Sequence, residues 1–236
     1  MNAWLVGAIV LLAGVLALAP VVASWLDPSS PARAAERLLA VLNAWGGIRD
    51  FVAQVAVRGA EGETLGRLLF LAPDNLRLDI VAPATLAGES FALRRVAEGW
   101  RFVHYRPALG VGIEAQIRDK ELADLLALPS LAQLGDSLRW NRIHVTYVPA
   151  ATDSATRPAR DAFDITGVPG TFERIVLHVE PTTQLPQEVI LYRDPTGPPS
   201  LEVEVRNLEV NTRLELRDVF LLDPPPSRWI SAPDAG

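Results

Sequence analysis

"LEVEVRNLEVNTRLELRDVFLLDPPP", residues 201–226, is the stretch on which the fold turns. Its first half alternates. Leu201, Val203 and Val205 fall on one side of an extended chain, and Glu202, Glu204 and Arg206 on the other. A period of two is the pattern of a strand with one buried face. At Asn207 the phase slips by one residue, and the apolar set becomes Leu208, Val210, Leu214 and Leu216. Such a slip is what a β-bulge produces, and a bulge bends the strand that carries it. The pattern predicts strands over 199–210 and 213–222, with Glu202, Glu204, Glu209 and Glu215 on a solvated face.

The same period fills most of the chain. Strands are predicted over 48–58, 63–72, 75–82, 88–97, 100–106, 109–117, 138–148, 161–167, 171–180 and 185–193. Glu61-Gly62, Pro73-Asp74, Glu98-Gly99 and Pro107 are turn residues between them. Two segments break the alternation. In residues 32–45, Leu38, Leu39, Leu42 and Trp45 recur at helical spacing, and Gly46-Gly47 stops the helix. Residues 118–138 read as two short helices split at Pro129, with Asp119 as N-cap and Leu122, Leu125, Leu126, Leu131 and Leu134 as the apolar stripe. A polar loop covers 149–161.

A meander this long must curl, close or split into layers. The predicted class is therefore mainly β with added helices (α+β). It is a single incomplete antiparallel β-barrel of about eleven strands with a helical lid, preceded by an N-terminal apolar helix. Residues 1–26 form a signal peptide or transmembrane anchor, 27–31 a linker, 32–226 the β domain and 227–236 a disordered tail. Residues 2–26 carry no charge, and as a helix they would span roughly 37 Å. Their length suits an anchor, whereas Val21-Val22-Ala23 resembles a small-residue cleavage site. Either reading places the remainder outside the cytoplasm.

Composition narrows the function. The chain has 236 residues, of which 49% are hydrophobic, and a formal net charge of −6 with no basic stripe for phosphates. It has no cysteine, so disulfides, thiolate metal sites, a cysteine nucleophile and N-terminal lipid attachment are all excluded. His104, His144 and His178 each sit inside a predicted strand, far apart in sequence, and read as ordinary sheet residues rather than a metal site. Neither a nucleophile elbow, a P-loop, a zinc-protease helix nor a dinucleotide glycine pattern occurs. The reading is a binding protein with no cofactor, not an enzyme.

What remains is the apolar face. Leu68, Phe70, Leu78, Ile80, Phe91, Leu93, Phe102, Leu177, Leu191 and Val203 alternate with polar residues. Alternation admits two readings of them. They fill a core, or they line a trough left partly open beneath the 118–138 helices, where a guest can lie. Aromatics are only 7% of the chain, and Leu, Val, Ala and Ile suit flexible acyl chains better than a planar cofactor.

The residues also resemble a known family, the LolA/LolB-like lipoprotein carrier superfamily. "GETLGRLLFLAPDNLRLDIVAP" (62–83) is similar to its G-x-L and P-x-x-x-R stretch. "AEGWRFVHYRPALGVGIEA" (97–115) is similar to its glycine–tyrosine–proline segment, with Gly99, Tyr105 and Pro107 in place. Residues 179–226 resemble its C-terminal half, including T-x-L-P, Asn211 followed by Leu214, and Phe220 before a proline. The resemblance implies an incomplete barrel under a helical lid and an apolar cavity for lipid or lipoprotein acyl chains. It also implies an arginine that latches the lid, matched by Arg77. The expected function is that of an extracytoplasmic carrier or chaperone. The alternative is an envelope sensor of the same fold that binds a partner protein, including a membrane protein, and not nucleic acid. The absent cysteine departs from the lipidated acceptors of this superfamily, and a retained anchor would depart from its diffusing carriers.

Overall fold

The computed structural model describes residues 33–118, 144–149, 160–167, 172–220, 222 and 225–231. Helix α1 (Arg33–Gly46) leads. The strands follow as β1 (Asp50–Gly59), β2 (Gly62–Leu71), β3 (Asn75–Ala82), β4 (Ser90–Val96), β5 (Gly99–Arg106) and β6 (Val111–Ile117). Then come β7 (His144–Val148), β8 (Asp161–Thr166), β9 (Arg174–Val179), β10 (Pro186–Tyr192) and β11 (Leu201–Val210). A short helix α2 (Leu216–Phe220) and strand β12 (Arg228–Ser231) end the described chain.

All twelve strands belong to one sheet, in the order β12-β6-β5-β4-β3-β2-β1-β11-β10-β9-β8-β7. The order is not a ring, so among the described residues β12 and β7 are edges and the sheet is open. The two runs of consecutive hairpins, β1–β6 and β7–β11, join where β1 pairs with β11. This pairing brings the first and last strands of the described meander together in the middle of the sheet.

Alternation sorts the side chains. Val57 is opposite Val203, Leu68 opposite Leu78, Leu78 opposite Phe91, Leu93 opposite Phe102, and Leu177 opposite Val189. Directly paired residues of an antiparallel ladder share a face, so these pairs make one continuous apolar inner face. It merges with Leu38, Val41, Leu42 and Trp45 of α1 into a single core cluster. The Trp45 indole Nε1–H donates to the Gln184 carbonyl at 2.7 Å, and Arg37 donates to the Tyr147 hydroxyl, tying α1 to the β7–β10 half.

The outer face is charged. Arg58 bridges Glu63 at 2.6 Å and Glu204 at 2.9 Å, and Arg174 grips Asp164. Arg206 first, and then Arg58, hold the Glu204 carboxyl below the usual carboxylate range. Glu204 is thus a cross-strand ion-pair partner on that face, a finer role than simple solvation.

Gly66 shows how closely the inner face packs. It sits opposite Val55 and Ile80, and a Cβ there would meet Leu78 Cδ1 at 2.7 Å and the Asp79 carbonyl oxygen at 3.0 Å. The side chain of Leu78 can yield, but the backbone of β3 cannot. Gly66→Val is expected to cost about 1–3 kcal/mol through overpacking, read as a lowered urea midpoint at unchanged slope.

The structure corrects several sequence expectations. The sheet has twelve strands instead of about eleven, and it is not wholly antiparallel, because β12 runs parallel to β6. The tail expected to be disordered supplies that strand. Residues 107–109 form a 3₁₀ turn with Pro107 at its start, since proline cannot donate to the ladder.

The bulge at Asn207 is present: Val52 pairs with Glu209 but Gln54 with Arg206, and Asn207 has φ 48°. The strand predicted over 213–222 is absent. Positive φ at Asn211 (56°) and Arg213 (66°) takes the chain off the ladder, and residues 216–220 coil into α2. Leu216 is exposed, whereas Val219 is fully buried. The predicted helices of 118–138 lie beyond the described residues, as does the apolar segment 2–26. Among the described residues, no helix is long and apolar enough to cross a membrane.

Candidate apolar binding face

The sheet brings the predicted lining residues together. Leu68, Phe70, Leu78, Ile80, Phe91, Leu93, Phe102, Leu177, Leu191 and Val203 all lie on the inner face, in one cluster, each at most 7% exposed. Their strands come from both halves of the sheet. Phe51 stacks on Phe70 with ring centroids 5.1 Å apart, and Phe91 and Phe102 are tilted at 6.3 Å. This face is a large apolar surface with ring and branched side chains in contact.

Leu122, Leu125, Leu126 and Leu131, expected as the lid, are outside the described residues. Arg77, expected as its latch, lies on the opposite face of β3 from Leu76 and Leu78. There its Nε–H donates to Asp79 at 2.6 Å, and the Ser90 hydroxyl donates to the same carboxylate oxygen. A groove of about 860 Å³ also opens near the bulge, lined among others by Gln54, Leu65, Arg67, Arg206 and Leu214. Its lining is mixed rather than purely apolar.

The sequence places His104 in a strand as an ordinary sheet residue, and the structure sets it on the inner face as a buried polar group. His104 pairs in register with Phe91 and Ile113, so it shares the inner face with them. Its ring stacks on Phe91 at 4.3 Å. The imidazole Nε2 lies 2.7 Å from Glu89 Oε2, and Arg106 Nε–H donates to Glu89 Oε1 at 2.9 Å. The Glu89 carboxylate serves both, so Nε2 carries the proton and Nδ1 is a bare acceptor. Nδ1 is buried and makes no hydrogen bond among the described residues. A polar chain therefore runs from the half-exposed Arg106 through buried Glu89 to the inner end of His104. The sequence held a faint signal: in "FVHYR", His104 takes the parity of Phe102, which is the core parity.

Burial pushes the His104 imidazole below its ordinary value, and the bond to Glu89 opposes this without reversing it. The folded ring stays neutral at a pH where the unfolded one, titrating near 6.5, takes up a proton. The unfolded state then binds more protons, so stability rises with pH through the window below that value and falls on acidification. Among the described residues, the charged groups facing the ring are Glu89 and Arg106. The expected result is a melting temperature that drops between about pH 7 and about pH 5, with a shallower drop in His104→Gln.

No protein-family model matches the chain, and no curated protein matches it significantly. Solved structures do. An uncharacterized conserved protein from Thermus thermophilus is 14% identical, with a TM-score of 0.53 over 82% of this chain and 98% of that one. At this identity the likeness is one of fold. The MucA/MucB complex of Pseudomonas aeruginosa is matched at 13% identity and TM-score 0.49, over 76% of this chain and 59% of that one. A LolA superfamily protein from Nitrosomonas europaea is matched at 14% identity and TM-score 0.34, over 78% of this chain and 97% of that one.

Proposed function

We propose that the chain is an extracytoplasmic carrier or chaperone whose inner sheet face receives acyl chains of a lipid or lipoprotein. The observation that carries this reading is the inner face itself. It is apolar and continuous across β1–β5 and β8–β11. The motifs of residues 62–83 and 97–115 point the same way. In this proposal Leu122, Leu125, Leu126 and Leu131 cover the guest, and the segment 2–26 either directs export or holds the domain at the membrane. Burying a methylene is worth about 0.8 kcal/mol, so a chain of about sixteen carbons offers roughly 12 kcal/mol gross. Ordering the chain and opening the cover reduce that figure, which makes release feasible.

Mass spectrometry of an organic extract of the gently purified protein is expected to recover acylated molecules at near-stoichiometric yield. An extract free of lipid, together with no uptake of a fluorescent fatty-acyl probe, overturns the proposal.

A second reading is a sensor that binds a partner protein. It is favoured by the β12 edge, where Trp229 and Ile230 are 47% and 41% exposed. An open edge of this kind accepts an extended peptide as a further strand. Crosslinking from position 230 to a single envelope protein, with no lipid in the extract, would select this reading over the first.

A further inference from the structure

We propose that His104 is the polar anchor of the guest, and that the inner face therefore selects amphiphiles carrying a hydroxyl or amide N–H close to the acyl chain. The inference rests on the acyl-binding reading above and adds a headgroup chemistry to it. Its basis is geometric. The imidazole shares the inner face with Phe91 and Ile113, its ring is stacked on Phe91, and its Nε2 is committed to Glu89. Glu89 is itself held by Arg106, so the ring cannot rotate without breaking a bond within a buried chain. What remains is Nδ1, a fixed lone pair on a side chain that is only 6% exposed, with no donor among the described residues.

A fixed acceptor discriminates by hydrogen-bonding capacity. A donor on the guest satisfies Nδ1, whereas an alkane, an ester lacking a donor or an ionised carboxylate leaves it unsatisfied. His104 lies two residues before the end of β5, where Arg106 reaches solvent, so the anchor sits near a rim. The tail of the guest would then run toward Leu93 and Phe102, and its head would stay near Arg106. Sites that bond a donor reject the analogue lacking it more strongly than apolar pockets reject an extra methylene.

The test uses the full chain and two matched pairs of probes. One pair is hexadecyl glycerol ether and its fully O-methylated analogue. The other is N-methyl palmitamide and its N,N-dimethyl analogue. The expected result is a preference of about tenfold for the donor-bearing member of at least one pair. The pair that shows it tells hydroxyl from amide recognition. His104→Phe, which keeps a ring beside Phe91, should abolish the preference while both members still bind. Imidazole ¹⁵N NMR of the unmodified protein serves if that variant does not fold. The Nδ1 resonance should move on adding the donor-bearing probe and stay in place with its methylated partner. Equal binding of both members of both pairs with an unmoved Nδ1 overturns the anchor and leaves the acyl-binding reading standing. Failure of every probe to bind removes that reading, and the anchor with it.

Discussion

Leu78→Ala is expected to lower the free energy of unfolding by about 3 kcal/mol, within the range of about 2–5 for a buried leucine truncated to alanine. Leu78 is 1% exposed and lies between Leu68 on β2 and Phe91 on β4. Its Cδ1 fills the space that the missing side chain of Gly66 leaves. The flanking strands are locked by ladder bonds on both sides, so the hole cannot collapse, and both the transfer and cavity terms count. Val81, three residues on and 63% exposed, is the control, and Val81→Ala should stay within about 0.5 kcal/mol. Urea denaturation at neutral pH reads both. A loss near 1 kcal/mol at Leu78 would mean that its side chain borders open space and not packed neighbours.

Glu89→Leu is expected to cost about 2–3 kcal/mol. Glu89 is buried and accepts from both His104 Nε2 and Arg106 Nε. Removing it strands a buried N–H on His104. The half-exposed side chain of Arg106 turns back to water at little cost. Most of the loss is therefore the unsatisfied imidazole. The double variant Glu89→Leu, His104→Leu should recover much of it, because removing both partners of a buried bond is far cheaper than removing one. Additive losses in that double-mutant cycle would show that the two side chains act independently.

How much of this was legible in the sequence follows from which interactions are local. Alternation identified the strands from β1 to β5 and from β8 to β11 within a few residues, because a strand buried on one face must repeat with period two. The slip at Asn207 announced the bulge for the same reason. The pattern failed beyond Val210. Leu214 and Leu216 keep the spacing of a strand, yet the positive φ values of Asn211 and Arg213 redirect the backbone, and Val219 is the residue buried instead. The family likeness makes Arg77 a latch, whereas its parity with Asp79 sets it on the face of β3 opposite Leu78. The Arg228–Ser231 strand carries no core residue at all, and it pairs with the edge of β6 beside the Gly110 turn that Ser227 bonds.

By itself the sequence determined that this is a mainly β chain whose strands are apolar on one side, and which leucines, valines and phenylalanines of those strands share that side, since face follows from parity along the chain. Tertiary structure alone decided that β1 pairs with β11, because register between strands about 150 residues apart depends on how the halves meet and not on either pattern. It also decided that Glu89 joins buried His104 to the half-exposed Arg106. Hydrogen-bond partners on different strands are set by that register, and no local repeat encodes them.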